Sequence, residues 1–264
     1  MNVGGISRKI VLCAAVAGAS ALLASTANAE VALNLTAGGS GTINGALFET
    51  NQVQPTGSGV IHSFVRISSN NAVEQGYNTD GRPLQFDENS SPTFTRSQAK
   101  ADLQIVTKNG VDYYAFLLDI NQQDSNPLLS LNELEIYLGD APDLLGFSPD
   151  HSAGGTGFGS HSSLVYDMDG AADSRVDLNY TLNSGSGSGD LWVFVKKSLF
   201  GGSKSWVYLY SKFGDPNGNN DGYEEWATVV GHNTPSVPLP ASVWGGLSLL
   251  GMLGVSKLRR RQLA

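Results

Sequence analysis

The stretch Trp206-Val207-Tyr208-Leu209-Tyr210-Ser211-Lys212-Phe213 carries the clearest fold signal in this chain. Its aromatic and β-branched residues alternate in the manner of a β-strand, in which neighbouring side chains point to opposite faces. Seven further segments share this character, and they cover residues 60–67, 101–106, 113–121, 131–138, 176–182, 191–196 and 225–230. Asn-Gly, Asp-Gly, Gly-Gly and Ser-Gly pairs between them indicate turns. About eight strands without a long helical period predict an all-β fold, an antiparallel β-sandwich of the jelly-roll type.

The central region, residues 30–236, is long enough for one substantial core and is expected to be a single domain. Two stretches within it, residues 148–163 and 183–189, consist largely of Gly and Ser. Such sequences can be flexible linkers, but strand-like segments flank both of them. We therefore expect long surface loops within one domain.

The first 29 residues have the organisation of a secretory signal peptide. Arg8 and Lys9 precede an apolar stretch, residues 10–23, which is followed by Ala27-Asn28-Ala29. A basic start, an apolar run and an A-x-A site predict export, with cleavage before Glu30. An uncleaved anchor is the alternative. The single cysteine of the chain lies inside this segment, so the exported protein is expected to have no disulfide.

The last 28 residues, 237–264, have three parts. The motif Val237-Pro238-Leu239-Pro240-Ala241 overlaps an apolar run, residues 239–255, and a basic cluster ends the chain. About 17 apolar residues would extend roughly 25 Å as a helix, which is marginal for crossing a bilayer. The basic end predicts that the helix terminates on the cytoplasmic side. The alternative, an amphipathic helix packed on its own domain, is disfavoured because the run has no polar face and contains four glycines.

This three-part tail resembles the PEP-CTERM sorting signal, in the variant known as VPLPA-CTERM. The residues that carry the resemblance are Val237, Pro238, Leu239, Pro240, Ala241, Trp244, Arg259, Arg260 and Arg261. The resemblance implies a Gram-negative bacterium in which an exosortase at the inner membrane recognises and removes the tail. It also implies a cell-surface or extracellular-matrix protein associated with exopolysaccharide or biofilm. It says nothing about the activity of residues 30–236.

Charge separates the central region from the two ends. All 24 acidic residues lie between Glu30 and Glu225, whereas only 10 of the 16 basic residues do, so the exported region has a formal charge of −14. This excess argues against a nucleic-acid partner, which would require a cationic surface. Divalent cations and neutral polysaccharide remain compatible partners. The alternative is that the acidic residues only keep an exported protein soluble.

The first candidate metal site is the sequence Asp215-Pro216-Asn217-Gly218-Asn219-Asn220-Asp221-Gly222. Asp215, Asn217, Asn219 and Asp221 alternate, so their oxygen atoms could face one centre, as Ca²⁺ requires. The EF-hand pattern fails because Asn220 and Trp226 occupy the positions of its glycine and its bidentate glutamate. A turn without metal is the alternative, since Asp and Asn favour turns by themselves.

A second candidate for Ca²⁺ is the turn that contains Asp167, Asp169 and Asp173. Three carboxylates so close together repel one another unless water or a cation neutralises them. A solvated loop is the alternative. Both candidates are hypotheses about a structural ion, with no catalytic role.

The strand at residues 206–213 also offers a candidate ligand-binding surface. Trp206, Tyr208 and Tyr210 should project from one face, where exposed rings could stack against sugars. The alternative is that these rings are buried in the core, which is the commoner fate of aromatic residues.

Sequence motifs for catalysis are lacking. Glu224 and Glu225 are adjacent on a predicted strand and should point to opposite faces, which is wrong for a pair of glycosidase carboxylates. A catalytic pair between one of these glutamates and a more distant carboxylate, such as Asp119, stays open. We therefore expect a noncatalytic surface or matrix protein, with a carbohydrate-binding module and a secreted hydrolase as the alternatives.

Overall fold

The computed structural model describes residues 1, 30–50, 63–149, 156–185 and 189–228. The predicted signal peptide, apart from Met1, and the predicted sorting tail lie outside these residues. Within the described ranges the chain forms fourteen strands: β1 (Val31–Asn34), β2 (Ser40–Ile43), β3 (Ala46–Thr50), β4 (Ser63–Ile67), β5 (Glu74–Tyr77), β6 (Gln98–Ala99), β7 (Ile105–Lys108), β8 (Val111–Asp119), β9 (Leu128–Gly139), β10 (Ser162–Asp167), β11 (Ser174–Asn179), β12 (Leu191–Lys196), β13 (Trp206–Phe213) and β14 (Glu224–Thr228). The fold of the described region is therefore all-β.

The strands form two seven-stranded sheets. The first has the order β1-β11-β9-β13-β5, with β10 beside β9 and β6 beside β13. The second has the order β2-β3-β12-β8-β14-β4, with β7 beside β8. Neighbours in each sheet are often far apart in the sequence, so the sheets depend on long-range pairing.

One apolar core lies between the two sheets, which pack as a β-sandwich. Phe48, Phe116 and Val193 enter it from the second sheet, and Ile136 and Leu209 from the first, all almost fully buried. Residues from both sheets thus fill one layer, as the alternation of side chains along their strands requires.

Two hairpins show how the Asn-Gly pairs act. Asn44 and Gly45 join β2 to β3, and Asn109 and Gly110 join β7 to β8. All four residues have positive φ, between 42° and 84°. Two-residue turns of this kind match the twist of the flanking strands, and Asn-Gly is the preferred sequence for them.

All eight predicted segments contain strand residues, but several boundaries differ. The segment predicted at 101–106 begins with a 3₁₀ turn, Lys100–Asp102, before β7. The segment predicted at 176–182 ends as a 3₁₀ turn, Tyr180–Leu182, where the side chain of Asn179 accepts a hydrogen bond from the Thr181 N–H. The sequence analysis missed six strands, each of two to six residues: β1, β2, β3, β5, β6 and β10.

The prediction of a purely antiparallel sandwich is wrong at one edge. Strand β1 runs parallel to β11, with Val31 opposite Ser174 and Asn34 opposite Asp177. Parallel neighbours cannot be joined by a tight turn, but these two strands are separated by most of the domain, so no turn constrains their direction.

The described residues contain no helix with the length and hydrophobicity needed to cross a membrane. The predicted span at residues 239–255 is not among them.

Candidate functional site

Six buried acidic residues gather at one end of the sandwich. Here β8 ends at Asp119, while β12 and β14 begin beside it. In the other sheet β5 begins and β13 ends at the same level. We call this region the acidic end, and its members are Glu74, Asp119, Asp177, Asp190, Glu224 and Glu225. Buried carboxyl groups cost free energy unless they are paired or protonated, so each one requires an explanation.

Glu74 and Glu224 form a buried pair between the two sheets. Both have 0% of their surface exposed, and each carboxyl group affects the pKa of the other. Glu224 also accepts a hydrogen bond from Gln122 Nε2 at 2.8 Å, and Glu74 accepts one from the Ser69 N–H at 2.9 Å. Burial, followed by the neighbouring Glu74, raises the pKa of Glu224 well above its ordinary value, and burial also raises the pKa of Glu74. The raised pKa values of two neighbouring buried carboxyl groups lead us to predict that they share a proton.

The first candidate metal loop covers this pair. Asn219 donates through Nδ2 to Glu74 Oε2 at 2.8 Å and to the Ser69 carbonyl at 3.1 Å. Its Oδ1 accepts hydrogen bonds from Gln122 Nε2 at 3.3 Å and from the Asp221 N–H at 3.2 Å. The side chain of Asn219 is therefore part of the hydrogen-bond network around the two glutamates.

Asn217, in the same loop, forms hydrogen bonds with a different group of residues. Asn217 donates through Nδ2 to Ser130 Oγ at 3.0 Å, and the Ser130 hydroxyl in turn donates to Asp177 Oδ1 at 2.7 Å. Asp215 and Asp221 are exposed. Asn217 and Asn219 thus bond to separate groups rather than turning together toward one centre, and the loop closes the acidic end through its amides.

The second candidate, around Asp167, is a turn between β10 and β11. Asp167 Oδ1 accepts from the Asp169 N–H at 2.8 Å, and Asp169 Oδ1 accepts from the Ser174 N–H at 2.8 Å. Asp173 holds the start of β1 through its carbonyl, which accepts from the Val31 N–H. Hydrogen bonds between side chains and the nearby backbone, as found here, are expected for a loop that holds no metal.

Neither loop shows the geometry of a calcium site. Among the residues that the structure describes, no three Asp, Glu, His or Cys side chains are grouped in a way that could hold a metal ion. Calcium binding at the two loops stays a prediction.

Asp190 and Asp119 lie where β12 and β8 meet. Asp190 Oδ2 accepts a hydrogen bond from the Ile120 N–H at 2.9 Å, and Asp119 Oδ1 accepts one from the Gly189 N–H at 3.4 Å. Burial, together with the negative charge of Asp119, raises the pKa of Asp190 to about 8, despite the bond from Ile120. Asp190 therefore holds a proton at neutral pH.

Glu225 lies on the outer face of the second sheet, opposite Arg66 on β4 and Asp119 on β8. Arg66 forms an ion pair with Glu225 at 2.5 Å, and its guanidinium lies 3.6 Å from the ring centre of Phe94. Glu224 points inward instead, so the prediction that the two adjacent glutamates face opposite sides is confirmed. Burial raises the pKa of Glu225, and Arg66 opposes that rise.

The prediction that Trp206, Tyr208 and Tyr210 form an exposed sugar-binding surface is wrong. Tyr208 and Tyr210 are each 1% exposed, and Trp206 is partly buried against the same group of rings. Phe147 lies 4.8 Å from Tyr210, and Phe158 lies 4.6 Å from Tyr208, between ring centres. These two phenylalanines come from the segment after β9, which folds back over the outer face of the first sheet. Both faces of β13 are therefore buried, so the rings cannot stack on a sugar.

Comparison with protein-family models, curated proteins and solved structures finds no match to this chain.

Sequence reasoning missed Glu74, Gln122 and Asp190 as members of a site. They are far apart in the chain and belong to no motif. For Gln122 and Asp190 the one available signal was their position, since each is a polar residue beside the end of an apolar strand, β8 or β12. Glu74 begins β5, whose sequence Glu-Gln-Gly-Tyr carries no such signal.

Proposed function

We propose that this chain is an exported, exosortase-processed surface or extracellular-matrix protein, associated with exopolysaccharide or biofilm and without catalytic activity. The observation that carries the proposal is the three-part tail, in which a Val-Pro-Leu-Pro-Ala motif, an apolar run and an arginine cluster follow in order. The A-x-A site before Glu30 supports export independently. The central region, residues 30–236, would be a jelly-roll-type sandwich. One helix, residues 239–255, would hold it at the inner membrane until the tail is removed.

The architecture of the described region is compatible with a passive matrix role. Its sheets are built from long-range strand pairs around one core, and the exported region contains no cysteine, so burial and hydrogen bonding must stabilise it. A net negative charge favours solubility outside the cell.

The observations give less support to the two alternatives. A carbohydrate-binding surface on β13 requires exposed rings, and Tyr208 and Tyr210 are buried. A hydrolase requires two carboxyl groups that reach a substrate, and the facing pair, Glu74 and Glu224, has no exposed surface.

Processing of the tail provides the test. The full chain, with one epitope after Glu30 and another after Ala264, would be expressed in a Gram-negative host with and without its exosortase. We expect the C-terminal epitope to be lost only when the exosortase is present. Replacing Pro238 and Pro240 by alanine should preserve the epitope, whereas Pro235→Ala, just outside the motif, should be processed normally. Retention of the tail in every case would overturn the proposal.

A further inference from the structure

Three Asn-x-Ser/Thr sequences lie in the exported region, and they begin at Asn34, Asn89 and Asn179. In an exported protein this sequence is the acceptor for N-glycosylation, which attaches a bulky sugar to the amide nitrogen of the asparagine. The acceptor has to lie at the surface and its amide nitrogen has to be free. The three asparagines differ in both respects.

Asn89 lies in the connection between β5 and β6. It is half-buried, and its neighbour Ser90 is exposed. Oδ1 of Asn89 accepts a hydrogen bond from the Ser91 N–H at 3.0 Å, so the side chain is held in an Asx turn. Nδ2 has no hydrogen-bond partner among the described residues and is not sealed from solvent. The nitrogen that would carry the sugar is therefore free.

An acidic residue, Asp87, stands two positions before Asn89. Its Oδ2 accepts a hydrogen bond from the Gln75 N–H at 3.0 Å, while its Oδ1 has no hydrogen-bond partner among the described residues. A carboxylate beside the acceptor is a group that an arginine of a transferase can bind. Asn34 is exposed, and its Nδ2 also has no partner in the described part of the chain, but Ala32 occupies the position of the acidic residue.

Asn179 has the acidic residue but not the free amide. Asp177 stands two positions before it. Nδ2 of Asn179 donates a hydrogen bond to the Thr36 carbonyl at 3.1 Å. Asn179 also lines a cavity of about 90 Å³, which has room for only a few water molecules of about 30 Å³ each. A sugar on Nδ2 would break the bond to Thr36 and would not fit the cavity, so Asn179 is protected.

We propose that Asn89 is an N-glycosylation site, because it alone of the three combines a free amide with an acidic residue two positions before it. The inference rests on the export proposed above and does not depend on the exosortase. The donor is a lipid-diphosphate-linked oligosaccharide. Nδ2 of Asn89 bonds to the anomeric carbon of its first sugar and loses a proton to a base of the transferase, while the bond from that carbon to the diphosphate oxygen breaks. The lipid diphosphate leaves with the electron pair, and the bond between Oδ1 and the Ser91 N–H stays intact.

The test is glycosylation of the full chain, with its signal peptide, in a Gram-negative host. The host would express a bacterial oligosaccharyltransferase that requires an acidic residue two positions before the asparagine, together with a lipid-linked oligosaccharide of known mass. Mass spectrometry of the intact chain and of its peptides should show one glycan, on the peptide that contains Asn89. Asn89→Gln and Ser91→Ala should each abolish it, because the first removes the acceptor and the second removes the required hydroxyl.

The control variants are Thr36→Ala and Thr181→Ala, which remove the other two acceptor sequences and should keep the glycan. Ala32→Asp, at an exposed position, should add a second glycan on the free amide of Asn34.

The inference is overturned if Asn89 of the wild-type chain stays bare, if the glycan persists in Asn89→Gln, or if Asn179 carries it. A bare Asn34 in Ala32→Asp would also overturn it, since a free amide and an acidic residue would then not suffice. The mass of the N-terminal peptide separates this inference from the proposed export. A chain that begins at Glu30 with a bare Asn89 contradicts this inference alone, whereas a chain that keeps its signal peptide contradicts both.

Discussion

Glu74 and Glu224 are neighbours inside the sandwich, and neither has any exposed surface. They come from different sheets, since Glu74 begins β5 and Glu224 begins β14. We predict that they share a proton, which links the two sheets at the acidic end. The stability of the protein must then depend on whether that proton is present.

The first prediction concerns pH. The pKa of each glutamate is raised above its ordinary 4.5, so the folded state binds more protons than the unfolded state. This contribution is complete below pH 4.5 and is lost as the pH rises through the folded-state pKa. The free energy of unfolding should fall with rising pH by up to about 1.4 kcal/mol per pH unit for one such proton. Urea unfolding at a series of pH values measures it.

The Glu224→Gln variant identifies the source of that dependence. Glutamine is neutral at every pH and can donate to Glu74, so the slope should become shallower. It should not vanish, because Glu88, Asp190 and Glu225 also have raised pKa values. Asp124→Asn, which removes an exposed carboxylate, is the matched control. An unchanged slope in Glu224→Gln would contradict a shared proton.

The second prediction concerns the loop that covers the pair. Asn219→Ala removes the donor to Glu74 Oε2 and should lower the free energy of unfolding by about 1 to 3 kcal/mol. Asp221→Ala should change it by less than about 0.5 kcal/mol, because Asp221 is exposed. Chemical denaturation without added metal measures both. Equal effects would show that the loop is not held by Asn219.

The third prediction concerns the aromatic rings that cover the outer face of the first sheet, to which Phe147 belongs. Phe147→Ala should destabilise the protein by about 3 to 5 kcal/mol, since this ring packs against Tyr77, Tyr137, Phe158 and Tyr210. Tyr223→Ala, at an aromatic residue that is 39% exposed, serves as the control. Denaturant unfolding followed by tryptophan fluorescence measures the difference, since Trp206 packs against the same cluster. A mild effect of Phe147→Ala would mean that the cover over β13 is dispensable.

The fourth prediction concerns Gly214, which follows β13. Its φ is 123°, and an added Cβ would lie 2.8 Å from Val73 Cα and closer still to the Ala72 carbonyl oxygen. Gly214→Ala should therefore cost about 2 kcal/mol or more, because backbone has to move. Gly201→Ala, where a Cβ would meet open space, should be nearly neutral. Thermal unfolding of both variants measures the difference. Similar melting temperatures would contradict the close approach between Gly214 and the backbone of Ala72 and Val73.

Local patterns in the sequence determined the all-β class and most of the long strands. Strand β13 matches its prediction at both ends because alternation over eight residues is a strong signal. The turns at Asn44-Gly45 and Asn109-Gly110 could also be predicted from the sequence, because Asn-Gly pairs by themselves favour the positive φ that such turns require. Short strands such as β2 and β6 were missed because their polar residues become strands only through a partner.

The acidic end was decided by tertiary structure alone. Nothing local brings Glu74 to Glu224 or places Asp190 beside a cavity, because these contacts join residues separated by many strands. The burial of β13 on both faces has the same origin, since Phe147 and Phe158 cover the tyrosines only after the chain folds back. Periodicity reports which side chains share a face, whereas only packing determines what covers that face and which charges lose contact with water.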